Sequence, residues 1–194
     1  MAFKYLAHCA LIVLLLDGPF NVDAHGFMFD PLMRSSLWRQ RKGPLNIQDN
    51  NLSCGGVEHQ WVQHNGRCGV CGDPYGAEIK PNEDKNGTYV TNTIVATYKV
   101  GGVLTARINL TSCFNGWFEF RICPLKSEND MVTQSCLDDT LLPLLDGNTR
   151  YHVGDNYYTD GKSRQYHVPL RLPSNFTCTH CVLQWWFKTV KIRG

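Results

Sequence analysis

Hydrophobic and polar residues alternate along several short stretches of this chain, and no long amphipathic helical pattern accompanies them. Leu104-Thr-Ala-Arg-Ile-Asn-Leu110 and Tyr166-His-Val-Pro-Leu-Arg-Leu172 place apolar side chains at every second position, the period of a strand with one buried face. β-Branched and aromatic residues concentrate in five runs, residues 91–100, 103–110, 117–122, 165–172 and 182–187, and each reads as a strand. Gly101-Gly102 and Pro173 punctuate them as turn signals. Short strands separated by tight breaks predict an all-β, antiparallel β-sandwich. Residues 30–85 behave differently: they are rich in Gly, Pro, Asn and Cys and carry little strand signal. So long an irregular segment is usually functional or stapled, and Cys54, Cys68 and Cys71 are placed to staple it.

The first 24 residues have another design. Lys4 precedes an almost wholly apolar stretch from Leu6 to Leu16, followed by Gly18-Pro19 and by Val22-Asp23-Ala24. This is the layout of a secretory signal peptide cleaved before His25. The apolar stretch is far short of the roughly 20 residues a membrane span needs. The expected mature chain, residues 25–194, is therefore a secreted, extracellular domain with no membrane span.

Cysteine usage agrees. Cys9 leaves with the signal, and eight remain: Cys54, Cys68, Cys71, Cys113, Cys123, Cys136, Cys178 and Cys181. An even number in an exported chain reads as a disulfide framework, with its connectivity open. The two C-x-x-C pairs, at Cys68 and at Cys178, lie more than a hundred residues apart, whereas zinc ribbons separate such pairs by about 15–20. Asn51, Asn86, Asn109 and Asn175 open N-x-S/T sequons, expected on glycosylated surface loops.

Removing one Lys and two Asp with the leader turns the formal charge of +2 into +3. That balance does not argue for nucleic acid, and no basic run is interleaved with aromatics. The cluster between Arg34 and Lys42 reads as a solvated loop. The length left suits one domain with a proper core. Asp30 and the pair Asp138-Asp139 do not form a recognisable glycosidase dyad, and neither a Ser-His-Asp order nor a phosphate loop stands out.

The most distinctive chemistry is at His25. Cleavage before it would put a free α-amine and an imidazole on one residue, with reference pKa values of about 7.7–8.0 and 6.5. Two such nitrogens chelate one metal ion, and nitrogen donors in a planar arrangement favour Cu(II).

Seven motifs then appear in order: His25-Gly26, Arg34-Ser-Ser-Leu-Trp38, Cys54-Gly-Gly56, Cys68-Gly-Val-Cys-Gly-Asp73, Gly116-Trp-Phe-Glu-Phe-Arg-Ile-Cys-Pro124, Gln134-Ser-Cys-Leu-Asp138 and Cys178-Thr-His-Cys-Val-Leu-Gln-Trp185. Together they resemble the arthropod-type lytic polysaccharide monooxygenases, auxiliary activity family fifteen, relatives of the chitin-binding type-4 domain. The resemblance covers essentially all of residues 25–187. It implies an immunoglobulin-like antiparallel β-sandwich with a long disulfide-stapled loop region, and copper held by a histidine brace on a flat surface. It also implies oxidative cleavage of chitin or cellulose, with an electron donor and oxygen or peroxide. Glu119 would be a polar group near the metal or a partner of Arg121, and Trp38, Trp61, Tyr75 and Trp117 would be candidates for stacking on sugar rings.

Two departures from the family pattern shape the functional expectation. The second copper histidine falls two residues before Gly-Trp-Phe-Glu-Phe, a position held here by Phe114. A phenyl ring has no lone pair to offer. The chain also stops at Gly194, short of the family's usual closing strand, which would expose a sheet edge. Cys113 is unexpected in the pattern and would pair with a cysteine lacking its usual partner. The first expectation is a monomeric binder of chitin or another β-linked polysaccharide, with copper weak or absent and oxidation impaired. The alternatives are an active monooxygenase using His59, His64, His152, His167 or His180 as substitute ligand, and an incomplete gene product.

Overall fold

In the computed structural model, residues 25–112, 115–127, 130–154 and 164–189 are described. The leader, Cys113 and Phe114 lie outside them. Six strands form two three-stranded antiparallel sheets. Strands β1 (His25–Asp30), β2 (Val103–Ser112) and β5 (Arg164–Arg171) make the first, in the order β1-β2-β5. Strands β3 (Gly116–Pro124), β4 (Tyr151–Val153) and β6 (Cys181–Thr189) make the second, in the order β4-β3-β6. The predicted sandwich is what the chain builds.

Alternation decides which side chains lie between the sheets. On β2, Leu104, Ala106, Ile108 and Leu110 are all buried, while the intervening residues face outward. Strand β3 sends Phe118, Phe120 and Ile122 inward, and β5 sends Val168 and Leu170. Phe118 is the hub, packing edge-on against Tyr166, Trp185 and Phe187 at 5.0–5.5 Å between ring centroids and stacking on Tyr151 at 6.0 Å. A smaller core of Cys123, Leu125, Val132 and Leu137 closes the far end of the second sheet. There the Cys123–Cys136 disulfide ties β3 to a short helix, α1 (Gln134–Asp138), whose first turn is capped by the Thr133 hydroxyl accepting from the Cys136 N–H.

Four of the five expected runs are strands; residues 91–100 are not. They are exposed throughout and carry no ladder among the described residues. Strand-prone composition becomes a strand only beside a partner with free backbone groups. This segment instead walls a cleft of about 1110 Å³ whose other wall includes Leu183, Trp185 and Phe187 of β6. Strand β6 is an edge strand of its sheet.

The segment 30–85 is organised without strands. The Cys54–Cys68 disulfide closes its middle. Residues Arg34–Gln40 form a 3-10 helix held by a buried carboxylate. Asp49 is fully buried and accepts from Ser36 Oγ at 2.7 Å, Trp38 Nε1 at 3.1 Å and Arg39 at 2.6 and 2.8 Å. Burial alone would raise its pKa, but the bonds from Arg39, Ser36 and Trp38 outweigh it and hold the group below its ordinary 3.8. Asp73 is a second buried carboxylate, accepting from the Asn82 backbone N–H and side-chain amide at 2.8 and 2.7 Å, but there burial outweighs the bonds and the pKa lies above its ordinary value.

Cys71 departs from the expected framework: it is a free thiol among the described residues. It packs against the smaller core, and Arg34 Nη1 lies 3.7 Å from its sulfur. Burial pushes its pKa up to about 11, so at pH 7.5 almost none is thiolate, the reactive form. Iodoacetamide at that pH is expected to modify Cys71 only after denaturation; mass spectrometry of native and unfolded samples checks this. Rapid labelling of the native chain would contradict the raised pKa of this thiol.

The sequons divide by location. Asn51, Asn86 and Asn175 are exposed, whereas Asn109 sits on β2, opposite Phe27 and Gln165, with its Oδ1 buried. The expectation of a surface loop therefore fails at Asn109, because the alternation of β2 places that residue inside a paired strand.

Candidate functional site

His25 occupies the first position of β1, at one end of the first sheet. Its partner across the ladder is Ser112, the last residue of β2, and the register shifts between His25 and Gly26 so that Gly26 faces Leu110. The Gly26 N–H donates to the Asn50 carbonyl at 3.0 Å. The Thr111 hydroxyl, which accepts from Asn50 Nδ2 at 3.1 Å, reaches the His25 carbonyl at 3.4 Å. The start of β1 is thus held by a strand partner and by the loop around Asn50.

Glycine at position 26 is dictated by this packing. A Cβ there would collide with the Leu110 side chain, lie 2.9 Å from the Asn109 carbonyl and press on Trp185 of the other sheet. The pair His25-Gly26 therefore has a geometric reason: the residue after the histidine must let the two sheets close beneath it.

The other histidines are dispersed. His59 lies within a π-helical turn, Glu58–Gln63, and His64 directly follows it, with rings 4.3 Å apart, and His59 Nε2 is bonded to the Tyr75 carbonyl at 2.9 Å. His152 stands on β4 opposite Trp117, on the outward side of the second sheet, and His167 on β5 opposite Arg107. His180 immediately precedes β6, whose first residue pairs with Pro124. That is the end of the second sheet away from Gly116. Among the described residues no group of three or more His, Cys, Asp or Glu side chains is arranged to hold a metal ion. Toward copper, the described donor set is the His25 imidazole. Position 114 lies outside the described residues, bracketed in sequence by Ser112 and Gly116.

Glu119 is occupied elsewhere. Its Oε1 accepts from Trp117 Nε1 at 3.0 Å and Arg150 Nε at 2.9 Å, and its Oε2 from Arg121 Nη2 at 2.7 Å. Burial would raise its pKa, but Arg150, Arg121 and Trp117 together lower it below 4.5. Of the two roles open to it in the sequence, the partnership with Arg121 is the one its contacts display. Asp49, which organises the loop region behind the Arg34–Trp38 motif, carried no sequence signal of its own.

The aromatic residues singled out for sugar stacking fare unequally. Trp61 is 55 % exposed and lies flat against Gly66, where a Cβ would come within 2.7 Å of the indole. Tyr75 is half-buried, stacked under the Arg67 guanidinium at 4.5 Å and bonded to it through its hydroxyl at 3.0 Å. Trp38 is tied to Asp49, and Trp117 is covered by Arg150 at 4.7 Å. Exposed indole in this loop region therefore comes from Trp61.

Comparison with known proteins adds three findings. Residues 25–191 match the family model for "lytic polysaccharide mono-oxygenase, cellulose-degrading". The structure is similar to that of an AA15 lytic polysaccharide monooxygenase from Thermobia domestica in the Cu(I) state, with 40 % identity and a TM-score of 0.77; the match covers 85 % of this chain and 83 % of that one. No curated protein sequence matches.

Proposed function

Since this chain belongs to the lytic polysaccharide monooxygenase family, we propose that it is a secreted polysaccharide-binding member whose copper-dependent oxidation is impaired, with chitin or a similar β-linked glycan as its target. The observation that carries the reading is the residue at position 114. Phenylalanine stands where the family places its second imidazole, and it has no lone pair for a metal. His25 supports the retained half of the site, because its backbone is fixed by Ser112, Thr111 and the Asn50 loop. Copper bound at such a site supplies one-electron chemistry toward oxygen or peroxide; the protein's part is to hold it. Here that part falls to His25 alone among the described residues.

Exposed Trp61, backed by Gly66, supports glycan binding, because an indole face offers apolar area to a pyranose ring. The layout of residues 1–24 supports export.

Cu(II) titration calorimetry on the cleaved protein, joined to product analysis on β-chitin and cellulose, tests the proposal. Retention on chitin with weak copper binding and no oxidised oligosaccharides is expected. Tight one-to-one copper binding with oxidised products would refute it and identify a substitute ligand.

A further inference from the structure

The outward side of the second sheet carries a cavity of about 470 Å³, lined by Glu119, Arg121, Asn148, Thr149, Arg150 and His152 with Leu141 at its edge. Its size lies in the range of small-ligand sites. It is built by β3 and β4 on the side facing away from the core, and the His25 site plays no part in it.

Donor and acceptor accounting defines what this cavity can take. Its one carboxylate, Glu119, is 5 % exposed and both of its oxygens already accept, three bonds in all, from Trp117, Arg121 and Arg150. The Asn148 amide is committed to Asp146 at 3.0 Å. Donors, in contrast, are left over. Arg150 is exposed and uses only its Nε on Glu119, whereas Arg121 spends Nη2 on Glu119 and pairs its Nε with Asp138 at 3.2 Å. The Thr149 hydroxyl and the His152 ring, both exposed, add donor capacity at the rim. With its carboxylate already committed and donors exposed on Arg150, Thr149 and His152, the rim suits a ligand that brings acceptors.

Beside the cavity the same sheet shows a run of cations over indole rings. Arg150 lies over Trp117 at 4.7 Å, Lys188 over Trp117 and Trp186 at 5.4 and 6.0 Å, and Arg121 over Trp186 at 4.8 Å. Trp186 remains 41 % exposed. Exposed indole, here that of Trp186, takes up pyranose rings, while guanidinium and ammonium groups take up the charged substituents of those rings. We propose that this face is a second glycan site, distinct from the copper end, selective for saccharides bearing sulfate or carboxylate groups.

Calorimetric titration of the cleaved protein with a heparin-derived hexasaccharide, an oligogalacturonide hexamer and chitohexaose tests this, the first two probes separating sulfate from carboxylate. At least one anionic probe is expected to bind at low salt and to be lost at 0.5 M NaCl, where screening is strong. Arg150→Gln should weaken that binding at least tenfold and leave the chitohexaose response unchanged. Lys188→Gln, which touches neither the cavity floor nor Glu119, should weaken it severalfold and guards against a folding defect in the first variant. No binding of either anionic probe, or wild-type binding by both variants, overturns the assignment.

Discussion

Replacing Phe114 with histidine is expected to raise the affinity for Cu(II) at least tenfold, about 1.4 kcal/mol. Once cleaved as proposed, the wild-type chain would offer two nitrogens from one residue, and the substitution adds a third from a second residue. The ladder sets the stage for it: β2 pairs with β1 up to Ser112 opposite His25, and position 114 follows two residues later in the chain. Competition against a chelator of known copper affinity reads the effect, and electron paramagnetic resonance shows whether the added nitrogen enters the equatorial plane. Oxidised products from chitin in the variant alone would show that one missing donor separates binder from enzyme. Unchanged affinity would mean that the lost imidazole is not what limits the site.

The largest effect on stability is expected at Asp49. It is fully buried and satisfies Ser36, Trp38 and Arg39 together. Asp49→Ala would strand these donors, a loss of roughly 3–5 kcal/mol. At this chain length that lowers the melting temperature by roughly 6–20 °C. Asp49→Asn, which keeps one acceptor, should fall between. Folding holds the pKa of Asp49 below its ordinary 3.8 and that of Glu119 below 4.5. Their contribution is therefore complete above the ordinary carboxylate range and is lost as pH falls through the depressed folded values. A melting curve series from pH 7 downward should show the wild type losing stability on that acid limb, with a shallower loss in Asp49→Ala. Equal slopes would remove Asp49 from the explanation.

How much of this was legible beforehand depends on what each element needs. Strands β2, β3, β5 and β6 announce themselves because a strand with one buried face must alternate, and Leu104 to Leu110 does so. Strand β1 is short and nearly uniformly apolar after its histidine, and β4 has three residues, too few for any period. Residues 91–100 have the composition of a strand and lack its neighbour, a fact no local pattern records. The Asp49 clamp joins residues 10–13 positions apart within a segment without periodicity, so only the folded loop reveals it. At the site, His25 is singled out in the sequence by the cleavage expected before it. The supports beneath it, Asn50 and Thr111, are not, since they come from a loop and from the far end of another strand.

Among the described residues the sandwich has four rims, and three of them are defended. Strand β1 is bulged twice, β4 is only three residues long, and β5 carries Pro169, which has no N–H to offer. Strand β6 has none of these devices: nine residues in unbroken register, with Lys188 its single charge. Growth into larger aggregates would thus be polar, starting along one seam of the molecule and sparing the others. Solutions of this protein should be kept dilute for that reason, and a lysine placed mid-way along that seam is the economical remedy.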